Sequence, residues 1–196
     1  AAKLCLCQAE SDLVGCSMQM ASKVIRLDLD YSCDASHAYQ QQRHYVSPWQ
    51  GEHAEHFAKR LLAYLSLYEQ HPSFAKDDSG GKAPDLFIAD QHQHYQLWCQ
   101  VALLPEKRLL RAAHQADHLL LVLDEQETDK ARHLPHPLNQ RIFTLDHAQL
   151  EAFCLMLKNH MQLSVWREDP VLYITDGEHQ LQLNISALMA QSPQLI

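Results

Sequence analysis

The residues best equipped for chemistry fall between positions 85 and 111. Two apolar runs, Asp85 to Ala89 and Tyr95 to Leu104, flank Asp90-Gln91-His92-Gln93-His94, a spacing that predicts a β-hairpin. Alternation along the second run puts Gln96, Trp98, Gln100 and Ala102 on one face and Leu97, Cys99, Val101 and Leu103 on the other. Asp85 shares its face with Phe87 and Ala89. Where the two faces coincide, one carboxylate and two amides converge, and Arg108 and Arg111 arrive from the helix predicted next. Polar groups on an otherwise apolar strand are costly to bury without partners. A carboxylate, an amide oxygen and nearby cations are groups that hold a divalent metal and a phosphate. A polar strand end bonded to its neighbours and to water is the plainer reading, and it stands beside the first.

The elements that must position these groups follow from periodicity. Lys23 to Tyr31 alternates, with Ile25, Leu27, Leu29 and Tyr31 on one side, as a half-buried strand does. Gln42 to Val46 is a weaker strand ended by Ser47-Pro48. Gly51 to Gln70 carries Ala54, Phe57, Leu61, Leu62 and Leu65 at three- and four-residue steps, predicting a helix with one apolar stripe. His71 to Pro84 reads as a mobile connection. Pro105 opens a helix over Glu106 to about Ala116. His118 to Asp124 is a nearly continuous apolar run, as in a strand covered on both faces. Ile142 to Leu145 is a short strand, and Asp146 is placed to cap a helix from His147 to about Asn159. Strands over Gln162 to Arg167, Val171 to Thr175 and His179 to Ile185 close the chain, the last two forming an antiparallel hairpin across Asp176-Gly177. This order of elements is that of an α/β (α+β) domain.

Bulk composition narrows the classes. With 196 residues, 46% of them hydrophobic, the chain can build one elaborated domain. No window reaches the roughly eighteen apolar residues needed to cross a bilayer. Sixteen Lys plus Arg against 24 Asp plus Glu leave a formal charge of −8, which argues against a cationic coat that grips DNA non-specifically. Residues 1 to 19 lack sustained periodicity and hold Cys5, Cys7 and Cys16. They read as a non-native extension ahead of a single domain over residues 20 to 196, with Met20 as its start. The remaining Cys33, Cys99 and Cys154 form no disulfide framework and fit a reducing cytoplasm.

Several short pieces, in order and with compatible gaps, resemble the YaeQ family. They are Glu52-x-x-Glu55 running into Arg60-Leu61-Leu62-Ala63-Tyr64-Leu65, then Pro84-Asp85, then Leu97-Trp98 followed by Gln100, then Pro105-x-x-Arg108-x-x-Arg111-Ala112, and a closing Leu181 to Leu188. The resemblance spans about residues 20 to 190. It implies a variant of the PD-(D/E)XK nuclease core: a mixed central sheet flanked by helices, with acids from an early helix and two adjacent strands around Mg²⁺. On that implication Asp85 and Gln100 take the two strand positions and Glu52 or Glu55 the helical one. Helical angle favours Glu55, which lies nearer the edge of the apolar stripe. The metal ligands would be Glu55, Asp85 and Gln100, and Arg108 or Arg111 would steady a phosphate. Two departures matter. Gln100 stands where the family carries an acid, and Ala102 stands where the nuclease lysine belongs. An amide oxygen ligates Mg²⁺ without bringing charge, so the site is weakened.

Two functions therefore stand: a degenerate Mg²⁺-dependent phosphodiesterase acting on nucleic acid, and a catalytically silent module that binds a protein or nucleic-acid partner through the same cleft. The fourteen His include spaced pairs, among them His53 with His56 and His114 with His118. Without a His-Glu-x-x-His order they read as solvated or core-edge imidazoles. There is no Gly-x-Ser-x-Gly elbow, Walker loop or dinucleotide glycine motif.

Overall fold

The alternation in the first strand is complete. Ile25–Cys33 (β1) buries Ile25, Leu27, Leu29, Tyr31 and Cys33 and turns Arg26, Asp28 and Asp30 outward. The computed structural model describes residues 19–21 and 23–189. The expected extension at residues 1 to 19 lies outside them, Gln19 apart. β1 pairs antiparallel with Ala38–Val46 (β2) over nine unbroken positions and parallel with His160–Glu168 (β8). Val171–Thr175 (β9) and Gln180–Asn184 (β10) extend this sheet in the order β10-β9-β8-β1-β2. β2 starts four residues before the weak strand expected, because Gln40-Gln41-Gln42 hides its alternation.

A second sheet holds Ser73–Phe74 (β3), Leu86–Ala89 (β4), Tyr95–Gln100 (β5), Ala116–Asp124 (β6) and Gln140–Leu145 (β7), in chain order. Its first two pairings are antiparallel and its last two parallel. The α/β class is thus realised as two mixed five-stranded sheets, where one central sheet was expected. The reason is that β1 takes a strand near the chain's end as its parallel neighbour, which no local pattern reveals.

The helices Ala54–Ser66 (α1) and His147–Met156 (α4) contribute to a core that also takes in side chains from both sheets. Glu106–Gln115 (α2) and Glu125–Ala131 (α3) cover the other face of the second sheet, where Trp98, Leu109, Ala112, Leu119, Leu121, Leu123 and Ala131 form a smaller core. The continuous apolar run in β6 is explained by this arrangement: Leu120 and Val122 enter one core, and Leu119, Leu121 and Leu123 the other.

One correction bears directly on the site. α1 does not present a single apolar stripe to a core. It is buried almost all round, and Lys59, Arg60, Ala63 and Ser66 are as hidden as Phe57 and Leu62. A helix inside a protein must satisfy every polar group it carries. Ser66 does so by donating to the carbonyl of Leu62 at 2.7 Å, and the two cations do so through ion pairs described below. α3 went unread because Glu-Gln-Glu-Thr-Asp-Lys-Ala has no stripe. Its start is marked instead by a capping box between Asp124 and Glu127. Asp146 caps α4 as expected, with Gln149 completing the box. Ser186–Met189 (α5) ends the described chain.

Phe57 is wholly buried in the first turn of α1, whereas Leu155 on α4 is 51% exposed. Urea unfolding should find Phe57→Ala destabilised by about 3–5 kcal/mol, and Leu155→Ala by less than about 1 kcal/mol.

Candidate functional site

The register of β4 against β5 sets Leu86 opposite Cys99 and Phe87 opposite Trp98, which brings Asp85 beside Gln100 on one face as the alternation predicts. Gln100 Nε2 donates to Asp85 Oδ2 at 2.7 Å, and the Val101 N–H donates to the same oxygen at 2.9 Å. The oxygen of Gln100, the atom a metal would need, accepts from the Trp98 indole N–H at 3.2 Å. Gln96 does not join them: it is exposed at the far end of β5.

Of the two early acids, Glu52 is the one whose partners, His56 and Arg60, also act on Asp85, whereas helical angle favoured Glu55. Helix α1 begins at Ala54 with His53 as its N-cap, so Glu52 precedes the helix and the helical-angle argument does not apply to it. Gly51, at φ +73°, turns the chain just before it. The Glu52 side chain is 2% exposed and fully engaged. Oε1 accepts from Arg60 Nε at 2.7 Å and from His56 Nδ1 at 2.6 Å. Oε2 accepts from Arg60 Nη2 at 2.6 Å and from the Trp49 backbone N–H at 2.8 Å. The Arg60 guanidinium lies 4.0 Å from the centre of the Trp49 ring and also donates to the Ser47 carbonyl. Glu55 is half-buried and does not line the pocket of about 190 Å³ formed by Trp49, Gly51, Glu52, His53, His56 and Asp78.

The cations foreseen on α2 are elsewhere. Arg108 and Arg111 are exposed, and Arg108 bonds the carbonyl of Gly80. The charges that bear on Asp85 are His56 and Arg60 from α1. Burial pushes the Asp85 carboxyl up to about 6, against the Val101 N–H and the His56 and Arg60 charges, while Asp78 pushes it up further. For Glu52 burial also works upward, but the hydrogen bonds from His56 and Arg60, the guanidinium charge and the Trp49 N–H prevail and hold it below the usual carboxylate range. Close by in sequence to Ala102, the Leu103 N–H donates to Glu127 Oε1. Glu127 Oε2 lies 2.7 Å from the buried Lys59 ammonium, with Asp124 at 3.4 Å. Sequence reasoning passed over Lys59 and Glu127 and met Arg60 only as part of the family resemblance. The signal available was a pair of adjacent cations inside an otherwise apolar helical stretch.

Among the described residues, Asp176, Glu178 and His179 bring three ligand-type atoms within 4.8 Å of one another, and the Lys158 ammonium lies 3.7 and 3.5 Å from the two carboxylates. His94, His160 and His179 pair with Asp117, Asp28 and Asp176.

Residues 18–185 match the family model described as YaeQ protein. The chain belongs to the YaeQ family. It is similar to the protein called "Uncharacterized protein YaeQ" in Escherichia coli (strain K12), at 23% identity over 145 residues, covering 69% of this chain and 78% of that one. The Salmonella typhi protein of the same name is 22% identical over 142 residues, with the same coverage. Two crystal structures share the fold. The YaeQ protein from Xanthomonas axonopodis pv. citri has a TM-score of 0.73 at 20% identity, covering 84% of this chain and 96% of that one. The one from Pseudomonas syringae scores 0.70 at 18% identity, covering 83% and 93%. No helix among the described residues is long and apolar enough to cross a membrane.

Two outcomes test the cluster's energetics. Removing one member of a buried ion pair strands the other, so Arg60→Met should cost about 3–5 kcal/mol in urea unfolding, while Glu55→Ala stays within about 0.5 kcal/mol. Asp85 titrates higher in the folded chain than in the unfolded one. Its favourable contribution is therefore complete below about pH 4 and is lost as pH rises through about 6. Asp85→Asn, which cannot ionise, should gain on the wild type between pH 4 and pH 7.5 by about 2–3 kcal/mol. Unfolding curves that stay parallel across that range would contradict the assignment.

Proposed function

We propose that this YaeQ-family chain is a metal-free derivative of the PD-(D/E)XK nuclease core that works as a binding module for a protein partner. One observation carries the reading: each oxygen of Glu52 and the amide oxygen of Gln100 is already committed to an internal donor. Arg60 supplies, from inside the fold, the positive charge that a divalent ion would bring to such acids. A hydrolytic Mg²⁺ centre needs ligand oxygens free to coordinate and water held on the metal, and this cluster commits those of Glu52 and Gln100 elsewhere. Lys59 and Arg60 are likewise spent on Asp124, Glu127 and Glu52, so they are not offered to a phosphodiester. With a formal charge of −8 on the chain, a protein partner is better supported than a nucleic acid. No disulfide joins Cys33, Cys99 and Cys154 to one another, which suits a reducing compartment such as the cytoplasm.

A second reading rests on Asp85 itself, a nearly water-free acid at the strand position that a weak Mg²⁺ phosphodiesterase would use. Thermal melts with and without Mn²⁺, and incubation with single-stranded and duplex DNA and RNA, separate the two. The module reading expects no metal-dependent shift, no cleavage, and no saturable oligonucleotide binding by fluorescence polarisation at physiological salt. It further expects that Gln100→Glu, which sets a second carboxylate against Asp85, creates a Mn²⁺-dependent rise in Tm. Metal-dependent cleavage by the wild type that vanishes in Asp85→Ala would establish the hydrolase instead.

A further inference from the structure

An open sheet edge offers backbone donors and acceptors to any strand that can reach it, and folded proteins normally shorten, bulge, charge or cover such edges. Three of the four edges here follow that rule. β3 has two residues. β10 has five, and the Gln149 side chain from α4 donates to its Gln182 carbonyl at 2.9 Å. β7 is flanked by α3 and α5, with the Thr128 and Thr144 hydroxyls 3.0 Å apart. β2 differs. It runs nine residues without proline, lysine or bulge, and among the described residues its backbone pairs with β1 alone. Among the described residues it also carries two of the most exposed large hydrophobic side chains, Tyr39 at 65% and Tyr45 at 66%.

We propose that β2 is a self-association edge: two copies of this chain pair their β2 strands antiparallel about a two-fold axis at Gln42, joining two five-stranded sheets into one. This inference concerns a surface other than the cleft and does not rest on the function proposed above.

The register follows from elementary constraints. A two-fold axis normal to the sheet keeps each sheet face on the same side, so it must pass through a residue opposite its own copy. An axis at Gln42 is the choice that overlaps all nine positions. It sets Tyr45 opposite the partner's Tyr39 at both ends, an aromatic cross-strand pair on the exposed face. It sets Arg43 opposite the partner's Gln41. On β1, Asp30 lies opposite Gln41 and accepts from its amide at 3.4 Å, while Arg43 keeps its own-chain pair with Asp28 at 2.7 Å, so no like charges meet across the seam. An axis at Arg43 would stack two guanidinium groups, and an axis at Gln41 or His44 would leave strand ends unpaired. On the inner face Gln42 stays anchored, accepting from the Tyr68 hydroxyl at 3.0 Å. Length, charge and aromatic pairing thus select the same axis.

Sedimentation equilibrium of the full chain, up to about 100 µM, should give a mass twice 22.5 kDa. In Tyr39→Lys/Tyr45→Lys, lysines meet lysines at both ends of the ladder, and the dimer should weaken at least about tenfold. Tyr39→Glu/Tyr45→Glu should weaken it equally, and mixing the two variants should restore a one-to-one dimer. Both changes lie on exposed side chains, and circular dichroism melts check that each variant remains folded. A wild type monomeric throughout the range, or a dimer indifferent to both variants, would overturn the proposal.

Discussion

Everything near the start of α1 hangs on the pairing of Glu52 with Arg60. Each side chain is almost wholly withdrawn from water, and a lone ion in such a place carries a penalty of several kcal/mol. The pair is tolerable because its geometry is complete: two parallel guanidinium contacts, an indole ring beneath the cation, and a backbone N–H and an imidazole for the remaining lone pairs. Trp49 is fixed in turn, since its ring N–H reaches the Ala75 carbonyl. The turn before the helix, the helix itself and the loop leading into Asp85 are thus tied through one carboxylate.

The pair exists because α1 occupies a middle layer. A helix packed on every side has no solvent face on which to park charge, so Lys59 and Arg60 must each find acids inside the protein. They do so in different directions, Lys59 toward the start of α3 and Arg60 back toward its own helix's entry. Asp85 takes the residual field of this arrangement. It keeps two hydrogen bonds on one oxygen while burial, the dominant influence, favours its protonated form.

What was legible in the amino-acid order was whatever depends on near neighbours. Alternation was enough to place Asp85 and Gln100 side by side, and Pro105, Asp146 and Asp176-Gly177 marked boundaries that the structure keeps. Helical angle misjudged the choice between Glu52 and Glu55 through a three-residue error in where the helix begins, because acidic residues near a helix start look alike whether they sit just before the first turn or within it. The part played by Arg60 was missed for a different reason: hydrophobic periodicity records the apolar side of a helix and is silent about polar residues buried opposite. The division into two sheets was illegible because it depends on β1 meeting β8, a partner chosen by tertiary packing.

That same β1–β8 pairing has a consequence for synthesis. β2 folds back on β1 through a tight local turn, but the other flank of β1 waits for strands made near the end of translation. A nascent chain therefore emerges with a two-stranded ribbon whose greasy side is bare, and contacts this distant in sequence are slow to close. The first sheet is therefore the last to be completed, and its apolar face gains full cover only once β8 to β10 have been made.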